Sequence, residues 1–503
     1  MRHALLLVVL LASCTKHEPG ETGSLRLSIV QPADAQPFAA AEQVEVRIVD
    51  PGRRAPFVQS MPWPPAADDT LLDFLISPEG SQWSLVVAAK ASGSVIAVGR
   101  SGPFDLQPGQ DVTVPVFVGV VNSFGAAPVS LAQARSGHTS LTLPDGRLVV
   151  VGGAAEGDPE APTSFASPVV ELIDPFGRTP CSSGLPCFGA GEVPPRTLHG
   201  AVLTDDGKVV IAGGLGEGNV PLADLWVLEP GQPTVWRDLS SVMAPRAGAA
   251  VALIGGGSYA GRVLVAGGCT DSSMTTCLED AWAVKLEGGG DQVTGFGVVR
   301  FGATATPLPG HGDVLVAGGR DAAGLASAVY LFDSASGKMR PVDSLITPRE
   351  RHVAVPLPDG SVLLAGGFDA AGAPLASAEV YVPWLPPAGR MLPAVSLTVA
   401  RHGAAAVALA DGSIVVVGGT DVTGASPSVE RFVPQGPNAR ADAYQGAFST
   451  FVALPDARTG AAVALGVGDE LLVSGGRGAS GAVADLLVLA RCLPDDGLGC
   501  PTP

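Results

Sequence analysis

This chain has little of what catalysis and nucleic-acid binding usually require. Only 16% of its 503 residues are charged, and acids outnumber bases 48 to 30, giving a formal charge of −18. Phosphate is repelled by that balance, which argues against a nucleic-acid partner. Lysine is confined to Lys16, Lys90, Lys208, Lys285 and Lys338, and tyrosine to Tyr259, Tyr330, Tyr381 and Tyr444. No apolar run reaches the length a membrane-spanning helix needs, and no convincing amphipathic helix period appears. GxSxG, HExxH, the P-loop and a GxGxxG opening a helix are all missing, which removes the common motif-based routes to hydrolase, zinc protease and nucleotide chemistry.

What the chain has in quantity is Gly (66) and Pro (44), the composition of a turn-dense all-β protein. Seven short apolar runs each end in a diglycine: Gly152–Gly153, Gly213–Gly214, Gly267–Gly268, Gly318–Gly319, Gly366–Gly367, Gly418–Gly419 and Gly475–Gly476. The intervals run from 48 to 61 residues. A self-similar unit of about 50 residues is the mark of a repeat architecture. The fifth unit displays the parts: Arg349 to His352, an apolar run to the turn Pro358-Asp359-Gly360, a return run to Ala365, the diglycine, then AEVYV around Tyr381. Pro-Asp-Gly between apolar runs predicts a hairpin. A third and a fourth strand would complete a four-stranded antiparallel sheet. The run after each arginine is rich in Ala, Gly and Thr, as in His402 to Gly412, which suits a crowded inner strand. The run before each diglycine is rich in Val and Leu, which suits a strand buried on both faces.

These units resemble kelch repeats from about Gly119 to Cys492. The phrase RSGHTSLTLPDGRLVVVGG, Arg135 to Gly153, is similar to bacterial and galactose-oxidase-like members. The resemblance implies a seven-bladed β-propeller over 119–492. The tyrosine and tryptophan that family blades usually carry are present only in part, at Tyr330, Tyr381 and Trp236. The last unit offers three clear strands, around Ala461–Leu465, Leu471–Ser474 and Asp485–Leu489. Its fourth would come from Phe124–Leu131, removing a free edge, or else from Cys492 onward.

The front of the chain differs. Residues 1–13 hold one arginine and an apolar run of about ten, a signal-peptide pattern. Leu11-Ala12-Ser13-Cys14 resembles the bacterial lipobox, which implies cleavage before Cys14, its lipidation, and attachment to a membrane by the lipid rather than a span. Residues 14–23 read as a tether. Six alternating runs in 24–118 predict a small β-sandwich, Ig-like or transthyretin-like. Residues 493–503 read as a tail. The address is the cell envelope, at the outer membrane of a Gram-negative bacterium.

Cys14 aside, the cysteines fall into three close pairs, Cys181/Cys187, Cys269/Cys277 and Cys492/Cys500. In an exported protein they read as local disulfides. None has zinc spacing, so no metal is assigned.

The kelch resemblance also raises the possibility of a copper radical oxidase. That chemistry needs two tyrosines, two histidines and a cysteine crosslinked to one tyrosine, and the cysteines here are otherwise accounted for. His138, His199 and His352 share one repeat position, three residues after an arginine, and so cannot converge on one off-axis metal. They read as structural bonds to a neighbouring unit's backbone. No cofactor and no catalytic residue is assigned.

One constellation is systematic. Arg135, Arg196, Arg246, Arg300, Arg349, Arg401 and Arg458 recur just before the first strand of each unit. An acid follows the diglycine in six units: Glu156, Glu217, Asp271, Asp321, Asp369 and Asp421. Antiparallel pairing would bring Arg and acid to one face, where they form structural pairs or, as a candidate binding face, grip carboxylates of a partner. Arg458 lacks such an acid, having Gly478 instead, and so is the candidate free guanidinium. The reading is a lipid-anchored envelope protein that binds or scaffolds a protein or glycan partner. The alternative is an extracellular carbohydrate-active enzyme.

Overall fold

A computed structural model describes residues 5–11, 24–49, 56–64, 71–74, 80–106, 112–175, 193–229, 235–239, 241–321, 323–493 and 498. Among them the chain is all-β, consistent with a β-propeller. Among the described residues the only helical elements are two short 3-10 turns, Glu217–Asn219 and Gly257–Tyr259.

Seven small antiparallel sheets follow the seven diglycine units. The fifth has strands Val353–Pro356, Val362–Ala365, Ala378–Val382 and Arg390–Ala394, in chain order across the sheet. The first has, among the described residues, three strands, Thr139–Thr142, Leu148–Val151 and Val170–Ile173. The rest have four. In the seventh, Ala462–Leu465, Leu471–Ser474 and Leu486–Leu489 are joined by Gly125–Ala126 from the front of the chain. Gly125 pairs with Val488 and Ala126 with Leu487, and the amides of Ala127 and Leu131 continue to the carbonyls of Leu486 and Ala484. The fourth strand of the last sheet among the described residues is therefore Gly125–Ala126, within Phe124–Leu131.

The strand before every diglycine is buried along its whole length, as its Val/Leu content requires. Its side chains alternate between two neighbours, because successive residues of a strand point to opposite faces. In the fifth sheet Val362 and Leu364 pack toward Leu315 and Ala317 of the fourth, while Leu363 and Ala365 pack toward Ile414 and Val416 of the sixth. The same hand-over recurs between each consecutive pair. One further core joins Leu472 and Val488 of the seventh sheet to Leu148 and Val150 of the first.

In the front segment, strands lie where the alternating runs predict, with two more at Phe57–Pro62 and Phe104–Leu106. They form two sheets. Leu25, Leu27, Val114 and Val116 of one share a core with Val44, Val46, Leu85 and Val87 of the other. The opposite face of the second sheet, at Val86, Ala88 and Val98, packs into the core that joins the seventh and first sheets. Leu5–Leu11, within the expected leader, is a strand between Ser24–Val30 and Leu71–Phe74. Cys14 and the rest of the tether lie outside the described residues.

Candidate functional site

The seven arginines do not form an exposed face. None is more than 3% exposed, and each is bound within its own unit. In six units one guanidinium nitrogen donates to the carbonyl of the first glycine of the diglycine, as Arg349 does to Gly366 at 2.7 Å and Arg401 to Gly418 at 3.0 Å. The same six guanidiniums meet a carboxylate, but not the acid expected. The partner stands at the head of the third strand: Glu171 for Arg135, Asp224 for Arg196, Asp280 for Arg246, Glu379 for Arg349, Glu430 for Arg401 and Asp485 for Arg458. Arg458 is thus paired with Asp485 at 2.8 Å and is not free.

Arg300 is the exception. Tyr330 takes the place of the third-strand carboxylate, and Arg300 donates to the carbonyls of Val299 and Ala328 instead. Asp321, 3.6 Å away, is the one acid of the expected set that pairs with its arginine. Asp271, Asp369 and Asp421 accept amides of their own loops. The third-strand carboxylate lies beside the guanidinium and in four units, at Glu171, Asp224, Glu379 and Glu430, it is buried with it, while Asp280 and Asp485 stay 23% and 35% exposed.

The histidines are structural, through a neighbour's side chain rather than its backbone. His138 Nε2 contacts Ser474 Oγ at 3.0 Å and His352 Nε2 contacts Thr304 Oγ1 at 3.0 Å, each in the preceding sheet, while His199 reaches Thr139 at 3.4 Å. Burial, with the adjacent arginines, pushes all three down to about 3, so they are neutral at pH 7. Among the described residues no group of three or more His, Cys, Asp or Glu side chains gathers to hold a metal.

Of the cysteine pairs, Cys269–Cys277 is a disulfide. Cys181, Cys187 and Cys500, the partner proposed for Cys492, lie outside the described residues.

The cavity that brings the seven units together is built from the residues just after the arginines. Ser136, Leu198, Gly248, Phe301, Gly302, Glu350, Arg351, His402, Gly403, Thr459 and Gly460 bound a space of about 420 Å³, so every sheet contributes. The second residue after each arginine has positive φ in all seven units. Five are glycine, and Leu198 (51°) and Arg351 (52°) are not. Positive φ strains a residue with a side chain, so Arg351 marks a place where a side chain is kept at a conformational cost.

The reason is visible across the cavity. Unit one carries a long hairpin, Ala154–Asp158 with Ala161–Phe165, whose tip crosses to the fifth sheet. Arg351 Nε donates to Glu160 at 2.9 Å, and its guanidinium lies 3.6 Å from Asp158. Arg477 of the seventh unit donates to the carbonyl of Gly157. Pro159 at the tip joins the cavity wall.

Glu350 is the anomaly. It is fully buried, and neither carboxylate oxygen accepts a hydrogen bond. Its nearest cation is Arg320 at 3.5 Å, a side chain that also lies over the Phe301 ring. Burial pushes Glu350 up to about 7, with Glu160 adding to the rise and Arg320 and Arg351 opposing it. A perturbed acid in a cavity is the ordinary mark of a functional site. Sequence reading missed Glu350 and Arg351, although the fifth unit departs visibly from its siblings, reading Arg-Glu-Arg where most read Arg, a small or polar residue, then Gly.

No protein-family model matches the sequence, and no curated protein matches it. Among solved structures, that of YjhT is similar, with 15% identity over 59% of this chain and 95% of that one, at a TM-score of 0.42.

Proposed function

We propose that this chain is a binding or scaffolding module on a seven-bladed, kelch-type β-propeller. In this reading the cavity between the blades receives a protein or glycan partner, and residues 24–118 form a sandwich docked on the first and last blades. The propeller reading is supported by the seven diglycine units, the hand-over of core packing from sheet to sheet, and the strand from Phe124–Leu131 in the last sheet. The binding reading is carried by one observation: every unit contributes to a single cavity holding a buried carboxylate that the chain itself leaves without a hydrogen bond. Lipidation at Cys14 and residence at the outer membrane complete the proposal, supported by the lipobox-like sequence.

The test is a glycan and peptide array probed with the 15–503 form, alongside His402→Trp, which fills the cavity. A partner that binds the native protein and is lost with the tryptophan is the expected result. A partner retained by His402→Trp refutes the cavity as the binding place.

A further inference from the structure

We infer that the cavity takes a primary ammonium group on an apolar stem, held by the carboxylate of Glu350. The inference rests on the reading of the cavity as the binding site and names what it binds. Both oxygens of Glu350 are unbonded while the side chain is 1% exposed. A buried carboxylate left so is costly, and it calls for a donor.

The neighbouring cations leave both oxygens without a hydrogen bond. Arg351 is held by Glu160 and Asp158 and Arg477 by the Gly157 carbonyl, while Arg320, over the Phe301 ring at 4.6 Å, reaches Glu350 only as a 3.5 Å ion pair. An anionic ligand would find no uncommitted guanidinium among these three and would meet Glu350. A neutral hydroxyl would supply one donor and no charge. An ammonium supplies three donors and the opposite charge at one atom. The site is also built to keep the carboxylate where it is. A Cβ on Gly302 would stand 2.6 Å from Glu350 Oε1, so only glycine leaves that oxygen its place. Phe301 and Leu198 supply apolar wall for a stem.

Two sources carry this chemistry: a free small amine, and a lysine side chain of a protein partner. Their shared group is the proposal, and the experiment separates them.

The whole protein in detergent is titrated calorimetrically with n-butylammonium, n-butanol and butyrate, and with a short acetylated, amidated peptide containing one lysine, between pH 5.5 and 8. Saturable binding of butylammonium, with butanol at least tenfold weaker and butyrate not bound, is expected. Glu350 carries the proton below about pH 7; the charged groups around it are Arg320, Arg351, Glu160 and Asp158, and burial lowers the pKa of nearby His402. Affinity should therefore fall about tenfold per pH unit below that point. Glu350→Gln should abolish both the binding and its pH dependence, and Glu350→Asp should weaken binding while keeping the pH dependence. A lysine peptide bound more tightly than butylammonium assigns a protein source; equal affinity assigns a small amine. Butanol binding as well as butylammonium, or Glu350→Gln binding unchanged, overturns the ammonium assignment. If neither cation binds while an array ligand is still displaced by His402→Trp, the ligand class alone is wrong. If the array ligand also survives that substitution, the cavity reading falls with it.

Discussion

The amide of Gly476 donates to the carbonyl of Arg135 at 2.8 Å, linking the last repeat unit to the first. The same bond joins the second glycine of every unit to the arginine of the next, from Gly153 to Arg196 through Gly419 to Arg458. The first glycine of each pair leaves room for this approach: at Gly475 (φ +53°) an added Cβ would lie 2.6 Å from the Arg135 carbonyl oxygen.

Deletion of Phe124–Leu131 removes the strand that caps the seventh sheet at Val488 and Leu487. The exposed edge should pair between molecules. Light scattering and thermal melting are expected to show aggregation and a lower Tm. A monomeric deletion variant with unchanged Tm contradicts the closure.

Arg401 and Glu430 are both essentially unexposed, 2.6 Å apart. Arg401→Ala strands the carboxylate and should cost about 3–5 kcal/mol in a reversible denaturant titration. Arg300→Ala leaves no third-strand carboxylate behind and should cost clearly less. Equal losses for the two would refute the role assigned to the third-strand acids.

Glu470 is buried beside the contact between the seventh sheet and Arg100 of the front segment. Burial pushes it up to about 7; the Gly468 amide and Arg100 pull the other way. Its folded form holds the proton more tightly than the unfolded chain, whose carboxyl titrates near 4.5. Its contribution is therefore fully present below pH 4.5 and lost as pH rises through about 7. Glu470→Gln should raise stability at pH 8 and flatten the fall between pH 5 and 8, as read by Tm against pH. An unchanged slope rejects the assignment.

Mass spectrometry of unreduced, exported protein should show Cys269–Cys277, with Cys181–Cys187 and Cys492–Cys500 beside it. The 269–277 loop is short, so its reduction should lower stability by less than about 3 kcal/mol. Free thiols at Cys269 and Cys277 contradict the pairing.

Cys14→Ala tests the anchor. The variant is expected to stay uncleaved or to leave the membrane fraction. Mature-sized protein that still sediments with membranes argues against lipidation.

Much of the architecture was legible in the sequence because it is local and periodic. Diglycine spacing, turn chemistry and apolar runs placed the strands of the fifth and seventh units within a residue or two of where they lie. The close spacing of Cys269 and Cys277 was enough to anticipate their bond. The arginines were found for the same reason, since a motif fixes a position along the chain.

What the motif could not fix was where each guanidinium goes. Arg458 and Asp485 are 27 residues apart and meet only because the third strand lies beside the second. Local spacing favoured the nearer acid beyond the diglycine, while the fold sets the third-strand acid beside the guanidinium and, in pairs such as Arg401–Glu430, buries the two together. Glu350 carries the same lesson further. Its carboxylate is ordinary in the sequence, and becomes a buried, unbonded acceptor only when seven units and the hairpin at Pro159 surround it. Sequence alone determined the repeat and its strands, because hydrogen-bonded turns and apolar alternation act between near neighbours. Tertiary structure decided the charge pairing and the cavity, because desolvation is set by every group that packs around a site.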